Sequence, residues 1–394
     1  MTITVEDMRA EGHLLTLDEV RSRFEATEPL SEVGFSTGPV TFELDNDWNG
    51  GPSEAEDESV EAAIHIGSDE YQLTRGALLQ AGSAAGIQKS MLSSVPGDLM
   101  VPILNYKWAG AMGQKNYKLL TRNEQVLAVT KDSIVPFSNL RLLDETLEAI
   151  HSTYGASEQD VYADNKFQHD LTKTHVRLVV PENVRRIASA RDLDEKPDNW
   201  SVGVQIRNSL VGAASTSIEG YLFAWFCTNG CTTQLASSGK WSRRTQDDAE
   251  IYDWAREAVD EVLGGLEHEL DKVQSLVDIP VRDNVVSVME SVFSRYNVPR
   301  SARSEITEEL VESDDTSMYG VLQAVTQAAN HSGMSDSAVT SILDIGGHIV
   351  NDWGNGRVVF EALEAGENLD LEGNVTVEVG DRSIETRVLK LPVD

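Results

Sequence analysis

The chain has very little cysteine. Its 394 residues include two cysteines, Cys227 and Cys231. Two thiols are too few for a disulfide framework, and no second Cys or His pair follows their CxxxC spacing at the distance expected of a zinc ribbon. We therefore predict two partly buried thiols in a reducing compartment, with no metal site at these residues.

Positive charge is also scarce. Thirty-two basic residues stand against 65 acidic ones, which gives a formal net charge of −33. Such a surface repels nucleic acid and anionic membranes except where basic residues cluster. Because the acids are spread along the whole chain, this charge favours solubility, or a host with a salty or acidic proteome, over nucleic-acid mimicry.

Long apolar runs are absent. No run approaches the roughly 20 residues that a membrane-spanning helix needs. The first residues, MTITVEDMRAEGHLL, have no basic stretch followed by an apolar core, so we predict no signal peptide. We expect a protein of the host-cell cytoplasm that has no membrane partner.

Motifs for nucleotide or metal chemistry are missing as well. The sequence has no GxxxxGK[ST], no GxGxxG after a strand pattern and no HExxH. His331 and His348 are isolated, which is more typical of structural histidines. No spacing supports pairing His175 with Ser209 or Cys227. We therefore predict no cofactor, no metal and no catalytic residue, although an enzyme built from scattered residues stays a third, unsupported alternative.

The pattern that is present predicts an α+β fold. From Trp200 to Arg244 lie an alternating run at Val202–Ile206 and a nearly continuous apolar run at Tyr221–Cys227. Alternation is typical of a half-buried strand, and a short continuous run of a fully buried one. We predict a central, mostly antiparallel sheet over residues 100–240, a helical C-terminal half and a small terminal β element.

Composition divides the chain into four parts. Residues 1–60 are predicted as an N-terminal arm and acidic loop, and 61–245 as the central α+β sheet domain. Residues 246–355 show a helical period and are predicted as a helical region, while 356–394 alternate and are predicted as a β hairpin.

Local signals place several boundaries. A hairpin turn is predicted at Asn123-Glu124, and a helix cap at Ser138-Asn139. Asn208-Ser209 with Gly212 is turn chemistry at the end of a strand. The long helix after Arg244 is expected to bend or split at Gly264-Gly265.

Four stretches in series resemble one family. They are DEYQLTRGALLQAGSAAGIQKSML, YKLLTRNEQVLAVTKDSIVPFSNLRLLDETLEAI, VGVQIRNSLVGAASTSIEGYLFAWFCTNGCT and MYGVLQAVTQAANH. Their order and spacing over residues 65–350 resemble the phage/plasmid-like proteins that carry domain of unknown function 932. The resemblance implies a phage or mobile-element origin and no particular activity. Many members have Asn-Ser-His-Asp-Gly in the central strand; here Leu210-Val211-Gly212 follows Asn208-Ser209, so any role of that His-Asp pair is absent.

Basic residues interleaved with aromatic ones are the functional lead. Single-stranded nucleic acid is held in cationic grooves lined by aromatic side chains that stack on bases. The competing interpretation is that these cations pair with the abundant acids and that the tryptophans are core or edge residues. The candidates are Lys107, Trp108, Lys115, Tyr117, Lys118, Arg122, Arg185, Arg186, Lys240, Trp241, Arg243 and Arg244.

Two functional hypotheses follow. The first is a phage single-stranded nucleic-acid-binding protein, of annealing type, that acts in DNA replication or recombination. Its analogy is to the RecT and Erf annealing proteins, and rests on origin and on a sheet-plus-helix layout. The second is an acidic phage structural or host-interaction protein that binds a host protein and no nucleic acid. A homo-oligomer is compatible with both.

Overall fold

The structure is a computed structural model with an α+β fold. It describes residues 5–28, 30–35, 40–44, 59–92, 94–111, 116–165, 167–169, 173–187, 198–212, 215–225, 229–233, 241–243, 248–281, 285–313, 315–329, 336–354, 374–379 and 382–387. In this part of the chain the helices are α1 (Val5–Ala10), α2 (Leu17–Thr27), α3 (Arg75–Ala84), α4 (Lys89–Leu92), α5 (Gly97–Ala111), α6 (Asn139–Tyr154), α7 (Asp248–Leu276), α8 (Val285–Arg295), α9 (Arg300–Ser313), α10 (Met318–Ala328) and α11 (Asp336–Trp353).

The strands form two larger sheets and one hairpin. They are β1 (Leu14–Thr16), β2 (Ser31–Phe35), β3 (Val40–Leu44), β4 (Ser59–Ile66), β5 (Asp69–Thr74), β6 (Tyr117–Arg122), β7 (Gln125–Lys131), β8 (Tyr162–Asp164), β9 (Gln168–His169), β10 (Thr174–Ile187), β11 (Asp198–Asn208), β12 (Thr216–Ala224), β13 (Asn229–Thr233), β14 (Trp241–Arg243), β15 (Asn374–Val379) and β16 (Arg382–Arg387).

The first sheet, here the N-terminal sheet, has the strand order β2-β6-β7-β5-β4-β3. Its pairs are antiparallel except β5 with β7. Helices α3 and α5 pack on it and bury residues such as Leu78, Leu104 and Trp108 against Leu73 and Leu119. The sheet therefore has its own apolar core.

The second sheet, here the central sheet, has the order β1-β8-β10-β11-β12-β13, with β9 beside β10 and β14 beside β12. Helix α7 crosses β11 and β12 with α6 beside it. Alternate residues of β11, such as Val202, Val204 and Ile206, face the same core as Leu266 and Leu270 of α7. The alternation of apolar residues along β11 thus identifies the face of the strand that the helices cover.

Strands β10 and β11 approach each other closely at Gly203. This residue pairs with Val179, where β10 has an irregular register before Val184. A Cβ on Gly203 would lie 2.0 Å from the carbonyl oxygen of Leu178, a backbone atom that cannot move aside. A side chain at this position would therefore break the pairing of the two strands.

Two expectations about organisation are corrected. Residues 1–60 were predicted as an N-terminal arm and acidic loop, but β1 joins the central sheet, and β2 and β3 are strands of the N-terminal sheet. Residues 45–58 of the acidic loop lie outside the described residues. The predicted single sheet over 100–240 is two sheets, since β6 and β7 pair with β2 and β5. Periodicity identified the strands, but it carries no information on which strand pairs with which.

Several local expectations are confirmed. Asn123 and Glu124 have φ of 49° and 67°, as a two-residue hairpin turn of type I′ requires. Ser138 caps α6 through its side chain, and Gly212 has φ of 68° after β11. One local expectation is wrong: helix α7 is continuous through Gly264-Gly265 and does not split. The C-terminal hairpin forms as β15 and β16, while the strand expected at 358–360 lies outside the described residues.

Candidate nucleic-acid interface

The two aromatic candidates of the N-terminal sheet lie in its core. Trp108 is 1% exposed, its Nε1 donates to the carbonyl oxygen of Ala81 at 3.1 Å, and its ring lies 5.3 Å from the rings of Phe42 and Tyr117. Tyr117 is itself buried. Burial leaves neither ring a face for a base, so both are corrected from stacking residues to core residues.

The cations near them are mostly engaged. Lys118 is 5% exposed and its Nζ donates to Oε1 of Glu32 at 3.0 Å. Arg122 donates to the carbonyl oxygen of Ala26 at 3.2 Å. Lys118 therefore cannot reach a phosphate without leaving its partner, and it too is corrected to a structural residue. Lys107, on α5, is exposed.

The arginines on β10 lie beside α7. Arg185 places Nη2 at 2.6 Å from Oδ1 of Asp271 and Nη1 at 4.0 Å from Oε2 of Glu267. Its neighbour Arg186 is exposed. Strand register puts this pair opposite Asn199 and Trp200, at the end of the central sheet away from β14. The structure therefore separates these arginines from the basic loop that follows the sheet.

The remaining candidates belong to that loop and to one other segment. Lys115, Lys240 and Arg244 lie outside the described residues. Trp241 and Arg243 form the ends of β14, opposite Ile218 and Thr216 of β12. The loop thus adds a short strand to the central sheet, a connection that its sequence did not predict.

Register brings two further cations to the same sheet end as Arg243. Lys173 precedes β10 and is exposed, while Arg207 lies near the end of β11. Arg207 pairs with His175 on β10 and with Ser217 on β12. We call Lys173, Arg207 and Arg243 the cationic sheet end. Sequence reasoning missed Lys173 and Arg207, because their proximity to Arg243 depends on the pairing of four strands, β10, β11, β12 and β14.

The face of the central sheet turned away from α7 carries a buried polar row. Arg177 Nε donates to Oε1 of Gln205 at 2.9 Å, and Gln205 Nε2 donates to Oε2 of Glu219 at 2.8 Å. Arg177 Nη1 lies 3.5 Å from Oδ2 of Asp164, which also accepts from the Tyr221 hydroxyl at 2.8 Å. The polar row crosses β8, β10, β11 and β12. Its signal in the sequence was alternation, with polar residues between Val176, Leu178, Val204 and Ile206.

Arg207 extends the polar row toward α11. Its Nη2 lies 3.1 Å from Oδ1 of Asp344 and 3.7 Å from Oε2 of Glu219. Beside it, burial first and then the charges of Arg177 and Arg207 hold the pKa of His175 well below its usual value near 6.5. His175 is therefore a neutral imidazole at pH 7.

The polar row holds residue types that enzymes use, but its side chains form their hydrogen bonds with one another. Asp164 and Glu219 are each shared by two donors, so neither carboxylate is presented to a substrate. Three buried atoms in or beside the polar row, Arg177 Nη2, Arg207 Nε and His175 Nε2, have no hydrogen-bond partner within the described structure. An ordered water satisfies groups of this kind in many proteins. The described residues contain no group of three or more His, Cys, Asp or Glu arranged to hold a metal.

The Asn-Ser pair at the end of β11 is a structural junction. Asn208 Nδ2 donates to the carbonyl oxygen of Phe137 and to Oδ1 of Asn139, both at 2.8 Å. Its Oδ1 accepts from the Thr216 hydroxyl at 2.8 Å. One amide therefore joins the start of α6, the end of β11 and the start of β12.

Comparisons of the chain with protein-family models, with curated proteins and with solved structures give no match. Across the described residues, no helix is long and apolar enough to cross a membrane. A functional assignment therefore depends on the geometry of the cationic sheet end and on the charges around it.

Proposed function

We propose that this protein binds single-stranded nucleic acid at the cationic sheet end, as an annealing-type protein of phage DNA replication or recombination. The observation that carries the proposal is the register that brings Lys173, Arg207 and Arg243 to one end of the central sheet. Because Arg207 is itself paired with Asp344 and Glu219, Lys173 and Arg243 are the cations on which the proposal depends. Arg244, which follows β14 directly, adds a fourth cation in the sequence. Clustered positive charge is what an acidic protein needs to hold a phosphate backbone.

The layout behind the annealing-protein analogy also supports the proposal. Three antiparallel strands, β10 to β12, are followed by the 29-residue helix α7, which packs across the sheet. Because α7 covers a face of the sheet, the turns and strand ends are the parts of the sheet that remain accessible to a ligand. Binding at strand ends needs neither a nucleotide nor a metal, and so agrees with the missing motifs.

Charge reversal at this sheet end tests the proposal. Binding of a labelled single-stranded oligonucleotide is measured by fluorescence anisotropy over a range of salt concentrations for Lys173→Glu, Arg243→Glu and the double variant. Each phosphate contact that is lost should reduce the slope of log K against log salt by about 0.7. The double variant should therefore lose about 1.4 from the slope, together with most of its low-salt affinity.

Lys131→Glu is the matched control. Lys131 is exposed at the end of β7 in the N-terminal sheet, and its reversal changes the net charge as much as each test variant does. The control should keep the wild-type slope. No binding by the wild type at low salt, or an equal loss in Lys131→Glu, would refute the proposal.

The pairing of the other candidate cations favours a second function, that of an acidic structural or host-interaction protein. Lys118, Arg122 and Arg185 all contact carboxylate or carbonyl oxygens, and the net charge is −33. This alternative predicts no affinity for the oligonucleotide. It also predicts a host protein that co-purifies at a fixed stoichiometry, which native mass spectrometry of the tagged full chain would measure.

A further inference from the structure

The outer face of α5 is apolar and exposed. Leu99 is 58% exposed and Tyr106 is 79% exposed, and Met91 on the neighbouring α4 is 39% exposed. The opposite side of α5 packs Met100 and Leu104 into the core of the N-terminal sheet. Helix α5 is therefore apolar on both sides, which is unusual for a helix that faces water on one of them.

The exposed side chains form one stripe. Leu99 and Tyr106 are seven residues apart, so they point in directions about 20° apart around the helix. Pro102, which is also exposed, lies between them with heptad spacing. Among the described residues, the other large apolar side chain with comparable exposure is Val311, which stands alone on α9 between acidic residues.

This stripe is nearly free of the charge that dominates the chain. Helix α5 contains one acid, Asp98, and one base, Lys107, whereas the whole protein carries −33. Two copies that met at an average surface would repel each other strongly. Contact through α5 reduces that repulsion locally, because the helix itself has zero formal charge.

We propose that the outer face of α5 is a dimer interface that takes a second copy of this chain, an interaction independent of nucleic-acid binding. The two α5 helices lie antiparallel about a two-fold axis that passes between Pro102 and Ile103. In that arrangement position 99 of one copy is level with position 106 of the other. Leu99 then packs on Tyr106 of the second copy, twice, as a self-complementary interface requires.

The contact is smaller than a permanent interface, since a single helix pair buries less than the ~800 Å² per partner of a standard complex. We therefore expect a weak, reversible dimer. Salt should strengthen it, because salt screens the long-range repulsion between two acidic chains while leaving an apolar contact intact.

Sedimentation equilibrium of the full chain over a range of protein and salt concentrations tests the proposal. The wild type should pass from monomer to dimer, and Leu99→Glu and Tyr106→Glu should remain monomeric at the concentration where the wild type is mostly dimer. Val311→Glu is the matched control: it adds the same charge at a 67% exposed site and should dimerise like the wild type. Circular dichroism checks that each variant is folded.

Cross-linking tests the symmetry. The double variant Leu99→Cys, Tyr106→Cys, made with Cys227→Ser and Cys231→Ser, should give a covalent dimer on mild oxidation. Leu99→Cys alone, in the same background, should not, because the two copies of position 99 lie about 10 Å apart along the helices.

The outcomes separate this proposal from nucleic-acid binding. A wild type that stays monomeric under all conditions, or a dimer that Leu99→Glu and Tyr106→Glu leave intact, would overturn the interface. If the wild type is monomeric and Tyr106→Glu lowers its affinity for the oligonucleotide, the dimer interface is also overturned. Helix α5 would then be assigned to nucleic-acid binding instead. Failure of the oligonucleotide experiment alone leaves the dimer expectation unchanged.

Discussion

The two large sheets are held by different interactions. The N-terminal sheet packs apolar side chains against α3 and α5 and buries one lysine, Lys118, near its edge. The central sheet covers one face with α6 and α7 and fills the other with the polar row of Arg177, Gln205 and Glu219. One sheet depends on burial of apolar area, and the other also depends on hydrogen-bond geometry.

The difference shows where register is specified most strongly. A strand shifted by one residue exchanges its two faces, so in the central sheet it would carry Arg177 and Gln205 into the apolar core under α7. Buried polar groups that satisfy one another in one register alone oppose such slips, even when they add little stability. The polar row can therefore be understood as a device for strand alignment.

The largest effect is expected from Asp164→Ala, which removes the carboxylate shared by Arg177 and Tyr221. Loss of one partner leaves a buried guanidinium uncompensated, and should lower the free energy of unfolding by about 3–5 kcal/mol. Urea denaturation measures it. The double variant Asp164→Leu, Arg177→Leu should recover part of the loss, and a cost below about 1 kcal/mol for Asp164→Ala would mean that the polar row does not hold the sheet.

A smaller effect is expected in the N-terminal sheet. Glu32→Ala leaves the Lys118 ammonium buried without its carboxylate and should cost about 1–3 kcal/mol in urea unfolding. Lys118→Met is the control, because an apolar chain of similar length should nearly restore stability. If both variants cost the same, the Lys118–Glu32 ion pair itself stabilises the sheet, and the cost of Glu32→Ala is not merely that of an unpaired buried charge.

His175 should make the central sheet sensitive to pH. Its pKa is held well below 6.5 in the folded chain, so the unfolded chain takes up the proton first as the pH falls. Stability should therefore be lost below about pH 6.5, by at most about 1.4 kcal/mol per pH unit. The slope of the unfolding free energy between pH 6.5 and about pH 5 should flatten in His175→Gln.

The smallest effect is expected from Arg185→Ala. Its contacts with Asp271 and Glu267 lie between half-exposed side chains, where an ion pair contributes about 0.2–1 kcal/mol. The thermal unfolding midpoint should hardly move, and oligonucleotide affinity should stay at the wild-type value. A marked loss of affinity would return Arg185 to the nucleic-acid interface and weaken the contrast between the two ends of the central sheet.

Local chemistry accounts for what the sequence predicted well. The Asn123-Glu124 turn and the Ser138 cap depend on a few neighbouring residues, so their signals are complete in the sequence. The split expected at Gly264-Gly265 was wrong, because Leu263 and Leu266 on either side are buried in the main core. Tertiary packing outweighs the roughly 1 kcal/mol by which each glycine destabilises a helix relative to alanine.

The interface was harder to predict because burial and strand pairing are not local. Trp108 and Lys107 are adjacent in the sequence, yet one is in a core and the other in water, since helical geometry separates neighbours by about 100°. The candidate cations were chosen by their closeness in sequence. The cationic sheet end instead combines Lys173, Arg207 and Arg243, which only the pairing of four strands brings together.

The junction made by Asn208 has a kinetic consequence. Its amide contacts Phe137 and Asn139, about seventy residues away, as well as Thr216, so its hydrogen bonds can form only after α6 has docked on a completed hairpin. We predict that these contacts are not yet formed in the folding transition state, so that their loss speeds unfolding and leaves the folding rate nearly unchanged. Substitution of Asn208 should thus raise the unfolding rate of the native chain while having little influence on its folding rate.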